Sequence, residues 1–301
     1  MSDNLRRYRA IRDALTQCYP GQPSGTVARH LITLAALISG IVGSKSTQLP
    51  HIAAKVPNGT KPESRAKRFA RWCDNAHILE EVYFLPYADV LLRHLALETV
   101  VLVMDGSGVG RGCTALMIHV VYKGRALPLA WRVRQAPKGH FPEDLHIAVV
   151  ELVRTLIPEG TKVVFLGDGE FDGITLQKTI NEAGWGYACR TSKGNTATWE
   201  DATFDVAELG ACLKPGRLIE LKEVQVTREA YGPVMLLCCW AKGRRGMPNR
   251  CIWSVICLQR RRRLIIIRSV SASRPFFQIR KVEGSIFRSH ISQTRSVSHA
   301  Y

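Results

Sequence analysis

Two apolar runs that each end in an aspartate constrain this chain more than any other feature. Thr99-Val-Val-Leu-Val-Met-Asp105 and Lys162-Val-Val-Phe-Leu-Gly-Asp168 are short, rich in β-branched residues and apolar without alternation. That is the pattern of strands buried on both faces. When two such strands lie side by side, their terminal carboxylates, 63 residues apart in the chain, meet at one edge of the sheet. Hard cations such as Mg²⁺ and Mn²⁺ favour carboxylate oxygen, so this edge is a candidate metal site. Two metals held there would activate a water or a 3′-hydroxyl and stabilise the leaving oxygen in phosphodiester attack. On the motif alone a second reading stays open, because each aspartate precedes a glycine and Asp-Gly is a common turn pair.

The flanking sequence gives the pair a setting. Residues 113–122 and 125–133 alternate well enough for two further strands. Residues 143–157 carry Leu145, Ala148, Val149, Leu152 and Leu156 at helical spacing. A second helix is expected over 174–183 and another strand over 185–189. Three strands, helix, strand, helix, strand is an α/β order that fits a mixed sheet of the RNase H-like kind. From about residue 198 to 240 the pattern turns to strands and turns (218–227 and 234–240), an added β insertion. The glycine-rich run 106–112 follows a strand but lacks the spacing of a dinucleotide loop. Arg111 stands where the third glycine belongs, and no Gly-Lys-Ser/Thr follows. A tight strand-to-strand connection is the expectation.

The N-terminal part is helical throughout. Helices are expected over 5–19, 27–41, 46–55 and 62–75, with Ser24 as an N-cap and Gly43-Ser44 as a turn. Lys45, Lys61, Arg65, Lys67, Arg68 and Arg71 gather at and after that turn. Helix, turn, helix and basic helix match a helix-turn-helix DNA reader, and match equally an ordinary bundle with a solvated basic face. The longest apolar run, 31–42, falls short of the roughly 18–20 residues of a membrane span. The N-terminus lacks the apolar core of a secretion signal. A cytoplasmic, nucleoid-associated protein with no membrane partner is expected. Nine scattered cysteines without C-x-x-C spacing read as reduced thiols rather than a zinc or disulfide framework.

The net charge of +17 suggests a polyanionic partner such as DNA, but its distribution is uneven. Residues 243–301 hold 13 Lys/Arg and one acid, hence +12, whereas residues 1–242 carry 29 basic and 24 acidic side chains, hence +5. The sequence thus divides into a helical DNA-binding part (1–95), a catalytic part (96–242) and a basic tail (243–301).

The runs VVLVMDGSGVGRG, ALMIHVVYKGRALPLAWRV, GHFPED and VVFLGDGEFDGITLQKTINEAGWGYACRT resemble the core of bacterial insertion-sequence transposases of the DDE class. The branch meant carries a β insertion in an RNase H-like domain. The run TLAALISGIVGSKSTQLPHIAAKVP with KRFARW is similar to that group's DNA-binding segment, and the resemblance covers about residues 25–242. It implies that Asp105 and Asp168 are the first two catalytic acids, with Asp172 the weaker claimant for the second. It also implies a pair of divalent metals (Mg²⁺ or Mn²⁺), double-stranded DNA at element ends and target as substrate, and synapsis as a homodimer. The implied reaction is phosphodiester hydrolysis followed by strand transfer.

The same resemblance implies a third acid, a Glu in the signature Tyr-x-x-Arg-x-x-x-Glu-x-x-x-x-x-x-Lys after the insertion. No such spacing occurs beyond Trp240. The tail instead has four consecutive arginines, little helical periodicity and Glu283 as its one acid. Read one nucleotide back, codons 266–291 yield YSKRFRIETFFSDQKSRGFHLQKSH, which restores Tyr, Arg, Glu and Lys at the required spacings. The Glu codon straddles Ser273 and Arg274. Arg274 supplies its AG, Lys281 supplies AA for the Lys, and Ile267 supplies AT for the Tyr. In the same frame residues 247–253 become Asn-Ala-Glu-Pro-Val-Tyr-Leu, which places the shift somewhat before Met247. The tail is therefore read as translated out of frame and poorly packed, and the chain as impaired in strand transfer. The alternatives are a basic DNA-binding arm in the frame as translated, and a non-catalytic DNA-binding protein or repressor derived from a transposase.

Overall fold

The computed structural model describes residues 3–57, 59–135, 141–192, 194–212, 218–242 and 248–256. Glu283 and the segment 257–301 lie outside the described residues. The chain forms two compact units that divide between Ala96 and Leu97.

The first unit is all-helical: α1 (Asp3–Gln17), α2 (Gly25–Ser44), α3 (Leu49–Ala54), α4 (Pro62–Cys73), α5 (Glu80–Tyr83) and α6 (Leu85–Leu95). Its core joins Ala36, Leu37, Ile52, Ala53, Val56 and Phe69, with Tyr8, Leu49, Ala66 and Trp72 at the margin. Gly40 lets α2 and α3 approach closely, since a Cβ there would sit 2.5 Å from Ile52 Cγ2. Helix α2 runs three residues past the expected end at Ile41, through Gly43 and Ser44, and stops where Lys45 turns left-handed at φ 52°. The residue that breaks the helix is therefore Lys45. Gly43 stays helical because the helix is held on both sides by neighbours: a Cβ on it would meet Arg7 and Lys55. With 20 residues and a mean hydropathy of 1.6, α2 has the length and composition to cross a membrane, which run length alone did not suggest. Leu31, Ala35, Ala36 and Leu37 are nevertheless buried within the helical unit.

The second unit carries one ten-stranded sheet. Its elements are β1 (Thr99–Gly110), β2 (Cys113–Tyr122), β3 (Arg125–Gln135), α7 (Glu143–Arg154), β4 (Lys162–Gly167), α8 (Ile174–Glu182), β5 (Gly186–Arg190), β6 (Thr196–Trp199), β7 (Ala202–Asp205), α9 (Val206–Cys212), β8 (Leu218–Val226), β9 (Tyr231–Lys242) and β10 (Pro248–Ile256). The order across the sheet is β3-β2-β1-β4-β5-β10-β9-β8-β6-β7. β1, β4 and β5 run parallel, and β2 and β3 are antiparallel to their neighbours, so this half is mixed. The glycine-rich run does form a strand-to-strand connection. Arg111 and Gly112 both take positive φ, as do Lys123 and Gly124 at the next hairpin, which is what a two-residue turn matched to strand twist requires.

The two faces of the mixed half differ. Leu102, Phe165 and Tyr187 form one fully buried row. Helix α8 lies on their side, where the Tyr187 hydroxyl donates to Gln177 Oε1 at 2.5 Å. Val149, Val150 and Val153 of α7 and Leu176 and Ile180 of α8 are fully buried. The opposite face holds Val103, Leu166 and Ala188, with Val101, Val121 and Val164 only partly buried around them.

Two expectations are corrected here. β1 does not end at Asp105 but continues to Gly110, because β2 pairs with it as far as Gly110 after β4 has stopped at Gly167. Residues 248–256, placed by the sequence in a poorly packed tail, form β10, which fills the gap between β5 and β9. Two unpaired strand edges there recruit a partner whose Cys251, Ile252, Trp253, Val255 and Ile256 suit a strand.

Candidate active site

Parallel pairing of β1 with β4 sets the geometry of the carboxylates. The register runs from Thr99 opposite Lys162 to Val103 opposite Leu166. Asp105 and Asp168 each lie two residues further on, beyond the same end of the paired stretch. Asp105 is half-buried within β1, and Asp168 is exposed just past β4. Asp168 Oδ1 accepts the Glu170 backbone N–H at 3.0 Å, a local turn that fixes the start of the loop. Gly167 is required here: a Cβ on it would sit 2.7 Å from Phe171 Cβ and 3.2 Å from Cys189 Sγ.

Asp172 has a different post. Its Oδ2 accepts the Ser192 N–H at 2.8 Å, the Asn195 amide at 3.3 Å and the Thr191 hydroxyl at 3.4 Å. It ties the loop after β4 to the loop that enters the β insertion. Burial pushes its carboxyl above the usual range, against the pull of these donors. With Oδ2 committed to one backbone and two side-chain donors, Asp172 serves to hold the two loops together.

Three residues near this end of the sheet carried no sequence signal strong enough to single them out. Glu143, in the first turn of α7, reaches across to accept the Leu176 N–H at 2.8 Å and so caps α8. His119 on β2 stands opposite Val103, and burial holds its imidazole below the usual value, opposed by a bond to the Val103 backbone and by Asp105. His146 on α7 is 3% exposed and sets its ring edge against Phe171 at 4.9 Å, while its Nε2 is buried without a protein partner. Burial likewise lowers its affinity for a proton, against Glu143, Asp144 and Asp168.

A lowered folded value means that the neutral imidazole stabilises the fold above the unfolded value of about 6.5, and that this contribution is lost as pH falls. Urea unfolding followed between pH 7 and pH 5 should therefore show declining stability. His146→Phe should flatten that decline by keeping the ring contact and removing the proton site. A decline as steep as in the parent chain would assign the effect elsewhere.

The donor chemistry of Asp105 and Asp168 fits a hard cation. Magnesium is commonly held by one or two carboxylates, with water and substrate phosphate completing its shell. Among the described residues no group of three or more His, Cys, Asp and Glu comes together to hold a metal ion.

In the helical unit, Lys45, Lys61, Lys67 and Arg71 are exposed and Arg68 is half-buried. Arg65 departs from its expected place on a DNA-facing surface. It is 7% exposed, and its guanidinium donates to the Val56 carbonyl and, at 2.9 Å, to the Thr60 carbonyl. Its charge is spent inside the unit on the connection before α4. That connection, residues 55–61, is longer than the 3–4-residue turn of a helix-turn-helix, and the tight turn lies one helix earlier, between α2 and α3.

No protein-family model matches this sequence, and no curated protein matches it. Among solved structures, the chain is similar to a cryo-EM structure of a piggyBac transposase synaptic complex with hairpin DNA, at TM-score 0.38 and 10% identity, covering 85% of this chain. It spans 61% of the length of that chain. A second similarity is to Marinitoga piezophila Argonaute in complex with 5′ OH guide RNA and target DNA, at TM-score 0.24 and 11% identity, covering 69% of this chain and 30% of that one.

Proposed function

We propose that this chain is a DNA transposase of the bacterial insertion-sequence DDE class, in a form impaired for strand transfer. The observation that carries the reading is that Asp105, on β1, and Asp168, the residue after β4, both stand two positions beyond the parallel pair Val103–Leu166, within the order β3-β2-β1-β4-β5. That order, with the β insertion attached beyond β5, supports an RNase H-like domain. Asp105 and Asp168 would hold Mg²⁺ or Mn²⁺, which when bound supplies Lewis-acid activation for phosphodiester attack. The chain's own part is to fix the edge: Gly167 ends β4 in close contact with Phe171, Asp172 anchors the loop that follows, and Glu143 pins the start of α8. Exposed Lys45, Lys61, Lys67 and Arg71, with Arg68 beside them, would take DNA phosphates, in the cytoplasm and as a homodimer when two element ends are paired.

Gel shift against element ends, run beside a cleavage assay, tests this. The 301-residue chain should bind ends and transfer strands little or not at all. Lys67→Ala and Arg71→Ala should each weaken binding evenly across sequences and lower the salt slope by about 1. Asp105→Asn and Asp168→Asn should each abolish Mn²⁺ binding measured by calorimetry, and Mn²⁺ affinity unchanged in both variants would sink the assignment. Robust Mg²⁺-dependent transposition by this chain would refute the impairment. Binding without any cleavage would favour the second reading, a DNA-binding repressor of transposase origin, to which the exposed basic residues of the helical unit also lend themselves.

A further inference from the structure

Beyond Asp105, β1 continues through Gly106–Gly110 with β2 and β3 alongside it. Ser107 pairs with Ala115 and Ala115 with Val133; Gly108 pairs with Thr114 and Thr114 with Arg134. The pairing of β1 with β4 ends at Val103–Leu166, so from Met104 on β2 is the one strand paired with β1 among the described residues. The three strand ends form an arm that runs on past the carboxylates. At about 3.3 Å per residue, Arg111 at its tip lies about 20 Å beyond Asp105 along β1. Arg134, three residues along and two strands across, lies about 14 Å away.

The arm has a composition of its own. Residues 106–116 and 131–135 contain Arg111, Arg132 and Arg134 and no Asp or Glu. Arg111 and Arg134 are exposed, and neither has an ion-pair partner among the described residues. Val109 and Val133 are each 55% exposed. Val133 stands in the row of Ser107, which is two residues from Asp105 and so shares its face of the sheet. A Cβ at Gly108 or Gly110 would meet nothing within 4 Å, so no packing inside the protein calls for glycine there. Glycine weakens a strand, and it suits a place where another backbone comes close. Arginine on an edge strand also discourages pairing with another chain, and β3 is an edge strand. That accounts for Arg134 but leaves Arg111, at the hairpin tip, and the two valines without a role. Asp105, Asp168 and Asp172 meanwhile make the neighbouring edge anionic, and a polyanion settles beside them only where cationic groups lie alongside.

We propose that this arm is a seat for the DNA backbone, along which a strand runs outward from Asp105 and Asp168. Arg111 and Arg134 hold its phosphates, and Val109 and Val133 lie against its sugars. Such contacts fix the register of the duplex and read no sequence. At about 3.4 Å per nucleotide of one strand, Arg134 falls about four and Arg111 about six nucleotides from the phosphodiester at the carboxylates. The choice of DNA as the occupant rests on the phosphodiester reading above.

Fluorescence anisotropy with the full chain and an element-end duplex of about 30 base pairs, in EDTA, tests the seat. Each phosphate contact contributes a salt slope of about 0.9, or about eightfold in affinity between 1 M and 0.1 M salt. Arg111→Ala and Arg134→Ala should therefore each weaken binding about eightfold at 0.1 M salt and lower the slope by about 0.9. Arg111→Lys and Arg134→Lys should restore most of both, since an ammonium still meets a phosphate as a point charge. All four variants should unfold at the temperature of the parent chain, as exposed substitutions usually do. Phosphate ethylation should interfere with binding about four and about six nucleotides from the element's terminal phosphate, and each alanine variant should lose its own position. Affinity and interference unchanged in both alanine variants would overturn the seat. So would a shift in oligomeric state by sedimentation with DNA binding intact, which would make the arm a contact between copies of the chain. Interference along the arm in a chain that binds no Mn²⁺ would keep the seat and overturn the phosphodiester reading. Mn²⁺ bound through Asp105 and Asp168 without interference along the arm would do the reverse.

Discussion

Phe165→Ala should lower the stability of the second unit by about 3–5 kcal/mol, the usual loss for an aromatic removed from a packed core. Phe165 is fully buried in β4, between Leu102 on β1 and Tyr187 on β5. Its ring also packs beside Gly167, where a Cβ would come within 3.3 Å of Cε1, so truncation opens a cavity directly under the turn that carries Asp168. Val164→Ala makes the comparison informative. Val164 is the preceding residue on the same strand, only partly buried on the opposite face of the sheet, and the loss there should be about 1 kcal/mol or less. Urea unfolding of both variants measures the difference between the faces. Equal losses would show that the Val164 face is as well packed as the Phe165 face.

Arg65→Met should destabilise the helical unit by about 3–5 kcal/mol. It leaves the Val56 and Thr60 carbonyls without their charged donor, and a hydrogen bond to a charged group contributes about 1.5–3 kcal/mol. Arg65→Lys should recover only part of this, since an ammonium lacks the planar fork that spans two carbonyls. Lys67→Ala, one turn from the same helix start but exposed, should change stability by about 0.5 kcal/mol or less while weakening DNA binding. Thermal unfolding by circular dichroism, set beside gel shift, separates the two roles. If Arg65→Met weakens DNA binding without moving the melting transition, Arg65 belongs to the DNA-facing set after all.

How far these features could be read from residues alone depends on their physics. The apolar runs before Asp105 and Asp168 announced buried neighbouring strands because period and composition agree there. α7 and α8 were legible for the same reason. Strand ends were not, since the end of β1 is set by how far β2 pairs with it and not by the residue at which its own apolar run stops. Arg65 shows the limit for charge: five basic residues of one short region look alike in a sequence, and only burial tells which one is consumed by backbone carbonyls. Glu143 and His146 act through residues about 30 positions away, on α8 and in the loop after β4. Asp172 was visible as an acid near Asp168, whereas its three donors come from a loop about 20 residues further on.

The position of β10 also bears on how the protein is made. It is the last of the described strands to be synthesised, yet it lies in the middle of the sheet. Until residue 256 has left the ribosome, β5 and β9 each present an open hydrogen-bonding edge to whatever is near, including another nascent copy. Closure of the sheet thus waits on a nine-residue strand delivered late. Slow translation across codons 248–256, or a competing strand supplied in trans, acts on assembly of the whole sheet and leaves the helical unit, already complete at Ala96, untouched.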